Sequence, residues 1–94
     1  MRTIINYIEN EVKAWTNMEA SAVQEPQPWI DMHRDAYALA LEIAIESTIE
    51  NFVDNMDNVS RTIQGNCHHE AFIKAEENII YHDKRLWVYA GWDK

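Results

Sequence analysis

Apolar residues recur at helical spacing along the middle of this chain and constrain its fold more than any other feature. They lie three or four positions apart without interruption and are Ala38, Leu41, Ile45, Ile49, Phe52, Met56 and Val59. Such a stripe follows one face of an α-helix and is normally buried against the rest of the domain. It predicts a single long helix that begins near Pro28 or Asp31 and continues close to Ser60.

Two further stretches have the same periodicity on either side of this helix. The first is residues 3–18, with Ile4, Ile8, Val12 and Trp15 facing inward, and the second is residues 68–84, with Phe72, Ala75, Ile79 and His82 inward. A proline-containing loop at 19–27 separates the first helix from the second. The chain has only two glycines and two prolines, which leaves few turn signals. Residues 1–94 therefore predict one all-α domain, a small bundle of three to four helices with one long central acidic helix.

The C-terminal segment, LWVYAGWDK, fits two structures. Leu86, Val88 and Ala90 alternate with Trp87 and Tyr89, as in a short β-strand with two different faces. The same residues could instead form an aromatic tail packed on the helices. The sequence leaves both alternatives open.

Acidic residues concentrate in the middle third of the chain. The formal net charge is −8, and residues 31–60 contain seven acidic residues and one arginine, a net of −6. Glu42, Glu46, Glu50 and Asp54 follow one another at intervals of four. On a continuous helix this spacing places successive carboxylates about 6 Å apart along the axis. We expect a row of exposed carboxylates, with Asp35 and Asp57 on the same side.

Such a row costs stability, which raises the question of what it is for. Each like-charge pair four residues apart on a helix is unfavourable by about 0.2–0.5 kcal/mol. Acids late in a helix also meet the negative end of its dipole. No Lys, Arg or His occurs between Asp35 and Ser60 to offset these terms. The row is either a solvated face of an acidic protein or a mimic of nucleic-acid phosphates that occupies a basic groove.

The second interpretation gains support from a family resemblance in residues 34–45, RDAYALALEIAI. Asp35-Ala36, Leu39-Ala40, Glu42 and Ala44-Ile45 resemble the central helical region of Ocr-type phage antirestriction proteins. Those proteins are small acidic helical dimers that imitate bent DNA and block type I restriction enzymes. Short acidic anti-CRISPR proteins of phages are a neighbouring class. The resemblance implies that the phosphate mimics are Asp35, Glu42, Glu46, Glu50, Asp54 and Asp57.

Aromatic residues suggest a different surface. Trp87, Tyr89 and Trp92 lie next to Lys84 and Arg85, and aromatic residues are enriched at protein interfaces. They form either an interface or part of the core. Alanines at 36, 38, 40 and 44 would also permit close helix packing, within one chain or across a homodimer.

No combination of residues predicts catalysis, a metal or a cofactor. Cys67, His68, His69 and Glu70 are potential ligands, but neighbouring residues on a helix diverge by about 100°. At most two of them could serve one zinc ion, which needs four ligands. Cys67 has no evident third catalytic member or oxyanion hole. The chain is predicted not to be an enzyme.

These observations lead to two functional hypotheses. The first is a cytoplasmic, non-enzymatic inhibitor that binds the nucleic-acid-binding surface of a bacterial restriction enzyme or CRISPR effector through the acidic helix. The second is a helical protein–protein interaction adaptor or homodimer that uses its aromatic and apolar surface, with the charge serving solubility. Neither predicts direct nucleic-acid binding, since the negative field repels phosphates. A membrane span is not expected, because no apolar run approaches about 18 residues.

Overall fold

The computed structural model describes residues 1–18 and 27–92, and within these ranges the regular structure is helical. The helices are α1 (Arg2–Asn17), α2 (Gln27–Ile45), α3 (Phe52–Ser60), α4 (Asn66–His82) and α5 (Trp87–Ala90), with a 3-10 turn at Lys84–Leu86. The predicted all-α bundle is therefore confirmed. Residues 19–26 of the predicted loop lie outside the described residues.

Helix α1 packs mainly on α2 and buries the face that its spacing predicts. Ile4 and Ile8 are buried, and Val12 and Trp15 are half-buried against the same core. The helix also reaches the end of α4, where the rings of Tyr7 and His82 stack with centroids 3.8 Å apart. His82, predicted to face inward, is instead an exposed residue held by this stacking.

Helix α2 begins where predicted but buries a different face. Pro28 lies in its first turn, where a missing backbone N–H costs nothing. Its buried side chains are Ile30, His33, Ala36, Tyr37, Ala40 and Ala44. The predicted stripe lies one residue away from this face, so Ala38 and Leu41 are only half-buried and Ile45 is 63 % exposed. The small alanines of the true face allow close packing of α2 inside the monomer.

The predicted long central helix is wrong, because the chain breaks between Ile45 and Phe52. Polar side chains bind backbone groups at the break. The Ser47 hydroxyl donates to the Ile43 carbonyl at 2.6 Å, and the Thr48 backbone N–H donates to Asn51 Oδ1 at 2.8 Å. Ser, Thr and Asn compete in this way with helical hydrogen bonds. The chain turns at this point, and Phe52 and Met56 are fully buried in a separate short helix.

Helix α4 confirms the inward residues Phe72, Ala75 and Ile79, each about 1 % exposed. The strand alternative for the C-terminal segment is wrong. After α4 the Asp83 carboxylate accepts the Arg85 backbone N–H at 3.0 Å and starts the 3-10 turn. Helix α5 then ends at Gly91, whose φ of 76° is a left-handed conformation that favours glycine. This closing segment packs on α3 and α4.

Candidate acidic and aromatic sites

Five of the six predicted phosphate mimics are exposed, and the sixth is not. Asp35, Glu42, Glu46, Glu50 and Asp54 are exposed, whereas Asp57 is half-buried. Asp35 is partly neutralised, because its carboxylate pairs with the Arg34 guanidinium at 3.0 Å. Within the described ranges, no basic group pairs with any of the remaining four exposed carboxylates. We refer to Glu42, Glu46, Glu50 and Asp54 as the acidic corner.

The acidic corner is not a row on one helix. Glu42 lies in the last turn of α2, Glu46 and Glu50 lie in the break, and Asp54 lies in α3. The spacing of one helical turn between successive carboxylates holds only on a continuous helix, so it does not describe these four residues. The carboxylates instead surround the point where the chain turns from α2 into α3. The row predicted from the spacing is wrong, although the exposure of these four residues is as predicted.

The stability cost expected for the row also changes. Asp54 lies in the first turn of α3, where a negative charge faces the positive end of the helix dipole. This contact is favourable, whereas a position late in a long helix would be unfavourable. Because the chain breaks, neither Glu46 nor Glu50 belongs to a helical pair of like charges within one continuous helix. Stability therefore gives no argument that the acidic corner is functional.

An apolar side chain stands among these carboxylates. Ile45 is 63 % exposed at the end of α2. With Leu39 and Ile43 it borders an open groove of about 420 Å³ whose polar edges are Glu42 and Glu46. The acidic corner therefore combines charge with exposed apolar surface, which is typical of a surface that contacts a protein.

Two further carboxylic acids meet at a separate cleft between α3, α4 and the C-terminal segment. The Asp57 side chain faces Glu76 of α4, and both residues border a cleft of about 250 Å³. Glu76 is only 6 % exposed. Burial, together with a hydrogen bond to Asp57 and the negative charges of Asp57 and Glu77, raises the pKa of Glu76 from 4.5 to about 8. Glu76 therefore keeps its proton near pH 7.

The inward position of Glu76 was not predicted from the sequence, although a signal existed. Glu76 follows Phe72 by four residues and precedes Ile80 by four, so it lies on the same inward face of α4. The helical spacing was the better guide to its position.

The three predicted interface aromatics occupy different environments. Trp87 is half-buried, and its indole N–H donates to the Ile80 carbonyl at 2.8 Å, which ties the C-terminal segment to α4. Tyr89 and Trp92 are each 42 % exposed. Tyr81 on α4 is 73 % exposed and lies 6.3 Å from Trp87, measured between ring centroids. Exposed aromatic side chains therefore do occur on α4 and in the C-terminal segment.

The histidine and cysteine cluster at the start of α4 has no metal-site geometry. Cys67, His68, His69 and Glu70 are all exposed. His69 Nδ1 lies 3.0 Å from the Ser60 carbonyl oxygen, so this ring contacts the end of α3. Among residues 1–18 and 27–92, no three His, Cys, Asp or Glu side chains converge as metal ligands would.

No helix in residues 1–18 and 27–92 combines the length with the apolar character that a bilayer crossing requires.

Comparisons with known proteins add no identification. The chain has no significant match among protein-family models, curated proteins or solved structures. The resemblance to Ocr-type and anti-CRISPR proteins therefore stays a prediction.

Proposed function

We propose that the protein is a non-enzymatic inhibitor that binds the nucleic-acid-binding surface of a bacterial defence protein in the cytoplasm. The target would be a restriction enzyme or a CRISPR effector. The observation that carries the proposal is the acidic corner, four exposed carboxylates that have no basic partner in the described part of the chain. Such a field attracts basic grooves and repels nucleic acid itself.

The broken helix changes how mimicry would operate. Because the carboxylates surround a turn, they present charge from two helices and a connection. A basic groove binds phosphates largely through electrostatics and counterion release, which depend on local charge density more than on one straight row. The proposal therefore needs exposure and net charge at the corner, and both are present.

The groove beside the corner favours a protein partner over a simple polycation. Ile45 and Ile43 supply apolar contact area next to Glu42 and Glu46. Protein interfaces combine an apolar centre with a charged rim, and the rim steers association. We expect Ile45 to contribute affinity and the carboxylates to contribute association rate and salt dependence.

The experiment compares two variants with equal net charge. E46K/E50K reverses charge at the acidic corner, and E9K/E70K reverses the same number of exposed carboxylates on α1 and α4. Each is titrated into DNA-cleavage reactions of a purified type I restriction enzyme and a purified CRISPR effector. We expect the wild-type chain and E9K/E70K to inhibit at least one of these enzymes, and E46K/E50K to be about tenfold weaker or inactive.

Salt provides the second readout. Inhibition by the wild-type chain should weaken as salt rises from about 50 to 200 mM, since exposed charges are screened over about 10 Å. An equal loss of inhibition in E46K/E50K and E9K/E70K would show that the total charge of the chain matters and the acidic corner does not. Absence of inhibition in both reactions would remove the proposal for these two classes of enzyme.

A second candidate is a helical adaptor or homodimer that uses the exposed aromatic side chains of α4 and the C-terminal segment. Tyr81, Tyr89 and Trp92 are substantially exposed there, with Val88 at 61 %. Large exposed apolar side chains in one area are typical of interfaces. This candidate predicts that W92A or Y81A weakens association more than E46K/E50K does, and that salt has little effect. Sedimentation equilibrium of the wild-type chain and of Y81A tests the homodimer.

A further inference from the structure

Two cavities along α2 share the side chain of Leu39 as a wall. The first is the open groove of about 420 Å³ described above, which Ile43 and Ile45 border together with two glutamates. The second has a volume of about 90 Å³ and lies between α2, α4 and the connection from α3 to α4. We call this second cavity the socket, and the two cavities together the α2 groove. The apolar lining of the socket includes Met32, Leu39, Ile63 and Phe72.

The chain itself covers the apolar side chains of the α2 groove only in part. Met32, Leu39 and Ile43 are half-buried, and Ile45 is 63 % exposed. Positions 32, 39 and 43 are separated by seven and then four residues, which is the spacing of a stripe that a second helix normally covers. This stripe lies beside the buried face of α2, so the monomer leaves it partly open to a partner.

Negative charge is distributed unevenly along the α2 groove. At the socket, the Asp35 carboxylate pairs with the Arg34 guanidinium at 3.0 Å. At the other cavity, Glu42 and Glu46 are exposed, and no lysine or arginine of the described residues pairs with them. The α2 groove therefore offers an apolar cavity in one part and unneutralised charge in the other. A complementary occupant carries an apolar side chain for the first and positive charges for the second.

We infer that the α2 groove binds an amphipathic helix of a basic protein, with an apolar side chain in the socket and lysine or arginine side chains at Glu42 and Glu46. The inference rests on the proposed function for the class of partner, whereas the groove itself can be tested alone. Leu39 and Glu46 are seven residues apart, which is about 10 Å along α2. A partner helix whose apolar and basic residues are about two turns apart reaches both parts.

Two other occupants fit the α2 groove less well. An extended peptide binds by pairing with the edge of a sheet, and residues 1–18 and 27–92 contain no strand. A second copy of the chain, in two-fold contact at this surface, would bring the Glu42 and Glu46 carboxylates of both molecules together. The chain has a net charge of −8, and like charges across an interface oppose association. A basic partner is therefore favoured.

The direct test uses a designed helical peptide as the probe. The peptide is about 14 residues long, enough to span α2 from Met32 to Ile45, with leucines along one face, lysines on both sides of them and alanines elsewhere. A control peptide has the same composition in an order that scatters the leucines around the helix. Binding is followed by nuclear magnetic resonance through the methyl groups of Leu39, Ile45 and Ile63.

We expect saturable shifts of all three methyl signals with the amphipathic peptide, and at least about tenfold weaker binding of the scattered control. Both peptides carry the same charge, so attraction to an acidic protein alone gives equal affinities. Equal affinities would therefore overturn the inference, and so would the absence of saturable shifts with the amphipathic peptide.

Variants of the protein locate the binding. I45Q changes an exposed apolar side chain, so it should keep the fold and weaken peptide binding about tenfold. V88Q is the matched control, because Val88 is 61 % exposed and does not line the α2 groove. E42Q/E46Q should weaken binding severalfold and reduce its salt dependence. Wild-type affinity in I45Q, or a larger loss in V88Q than in I45Q, would contradict the inference.

The socket is tested by changing the peptide, which leaves the protein unaltered. Each leucine of the amphipathic peptide is replaced by alanine in turn. One replacement should weaken binding more than the others and should remove the shift of the Ile63 methyl signal, because that leucine occupies the socket. Shifts at Ile45 that never extend to Ile63 would overturn the placement of an apolar side chain in the socket.

Inhibition assays distinguish this inference from the proposed function. If I45Q inhibits like the wild-type chain while E46K/E50K does not, the proposed function stands and the inference fails. If the wild-type chain inhibits neither enzyme but binds the amphipathic peptide, and I45Q does not, the inference stands and the proposed function fails. Sedimentation equilibrium tests the second copy: a wild-type dimer that I45Q converts to a monomer would assign the α2 groove to self-association and overturn the inference.

Discussion

Asp54 and Asp57 lie one turn apart on the same short helix, yet they belong to contrasting regions. Asp54 is exposed in the acidic corner, in the first turn of α3. Asp57 is half-buried and faces Glu76 across a cleft. Exposed carboxylates act on their surroundings through a screened, long-range field, whereas buried ones act through protonation and local hydrogen bonds. Equal formal charges in a sequence therefore do not have equal consequences.

The buried pair should make stability depend on pH, and this is the largest effect that we expect. The pKa of Glu76 is about 8 in the folded chain, above its ordinary value of 4.5. Its stabilising contribution is fully present below pH 4.5 and is lost as pH rises through about 8. The free energy of unfolding should fall over this window by on the order of a few kcal/mol. Urea unfolding at pH 5, 7 and 9 measures it.

The isosteric variant Glu76→Gln checks the cause. It cannot ionise, so its stability should vary much less between pH 5 and 9 and should exceed that of the wild-type chain at pH 9. Glu70→Gln, exposed on the same helix, should keep the wild-type dependence. A pH profile that is equally steep in Glu76→Gln would assign the effect to another group.

The corner is held in shape by its own polar network, which gives the second prediction. Asn51 Oδ1 accepts the Thr48 backbone N–H at 2.8 Å. Asn51→Ala leaves that donor without its partner and should lower the free energy of unfolding by about 1 kcal/mol. Thermal or urea unfolding measures the change. Asn58→Ala, at an exposed position of α3, should change it by less than about 0.5 kcal/mol, and equal losses in both variants would argue against the network.

The favourable position of Asp54 gives a smaller effect. Asp54→Asn removes the charge from the first turn of α3, and this should cost about 0.3–1 kcal/mol at low salt. The loss should shrink in about 1 M salt because the dipole interaction is screened. If the variant is instead more stable, repulsion from Glu50 and the nearby acids outweighs the helix dipole.

Glu46→Gln and Glu50→Gln should have the smallest effect on stability. Both residues are exposed and lack basic partners within the described ranges, so each change should stay within about 0.5 kcal/mol. Their effect should appear only in binding, as a weaker salt dependence of inhibition. Unfolding curves measure the effect on stability, and inhibition at two salt concentrations measures the effect on binding. A large loss of stability would show that the acidic corner has a structural role.

The two regions were predicted from the sequence to different degrees. Exposure of Glu42, Glu46, Glu50 and Asp54 followed from their charge, because isolated carboxylates are rarely buried. Their arrangement could not be predicted in the same way. The helical spacing of apolar residues continues across Ser47 and Thr48, although the helix itself ends there. The Ser47 hydroxyl and the Asn51 side-chain amide were the missed signal, since such groups compete with helical hydrogen bonds.

The sequence by itself determined the helical class, the inward faces of α1 and α4 and the concentration of charge in the middle of the chain. These depend on local spacing and composition, which a linear pattern contains. Only the tertiary structure decided which face of α2 is buried, where the central helix breaks, and that Asp57 meets Glu76. The physical reason is that burial depends on contacts between residues far apart in sequence. A carboxylic acid between α3 and α4 acquires its properties from the helix opposite, which its own neighbours in the chain do not specify.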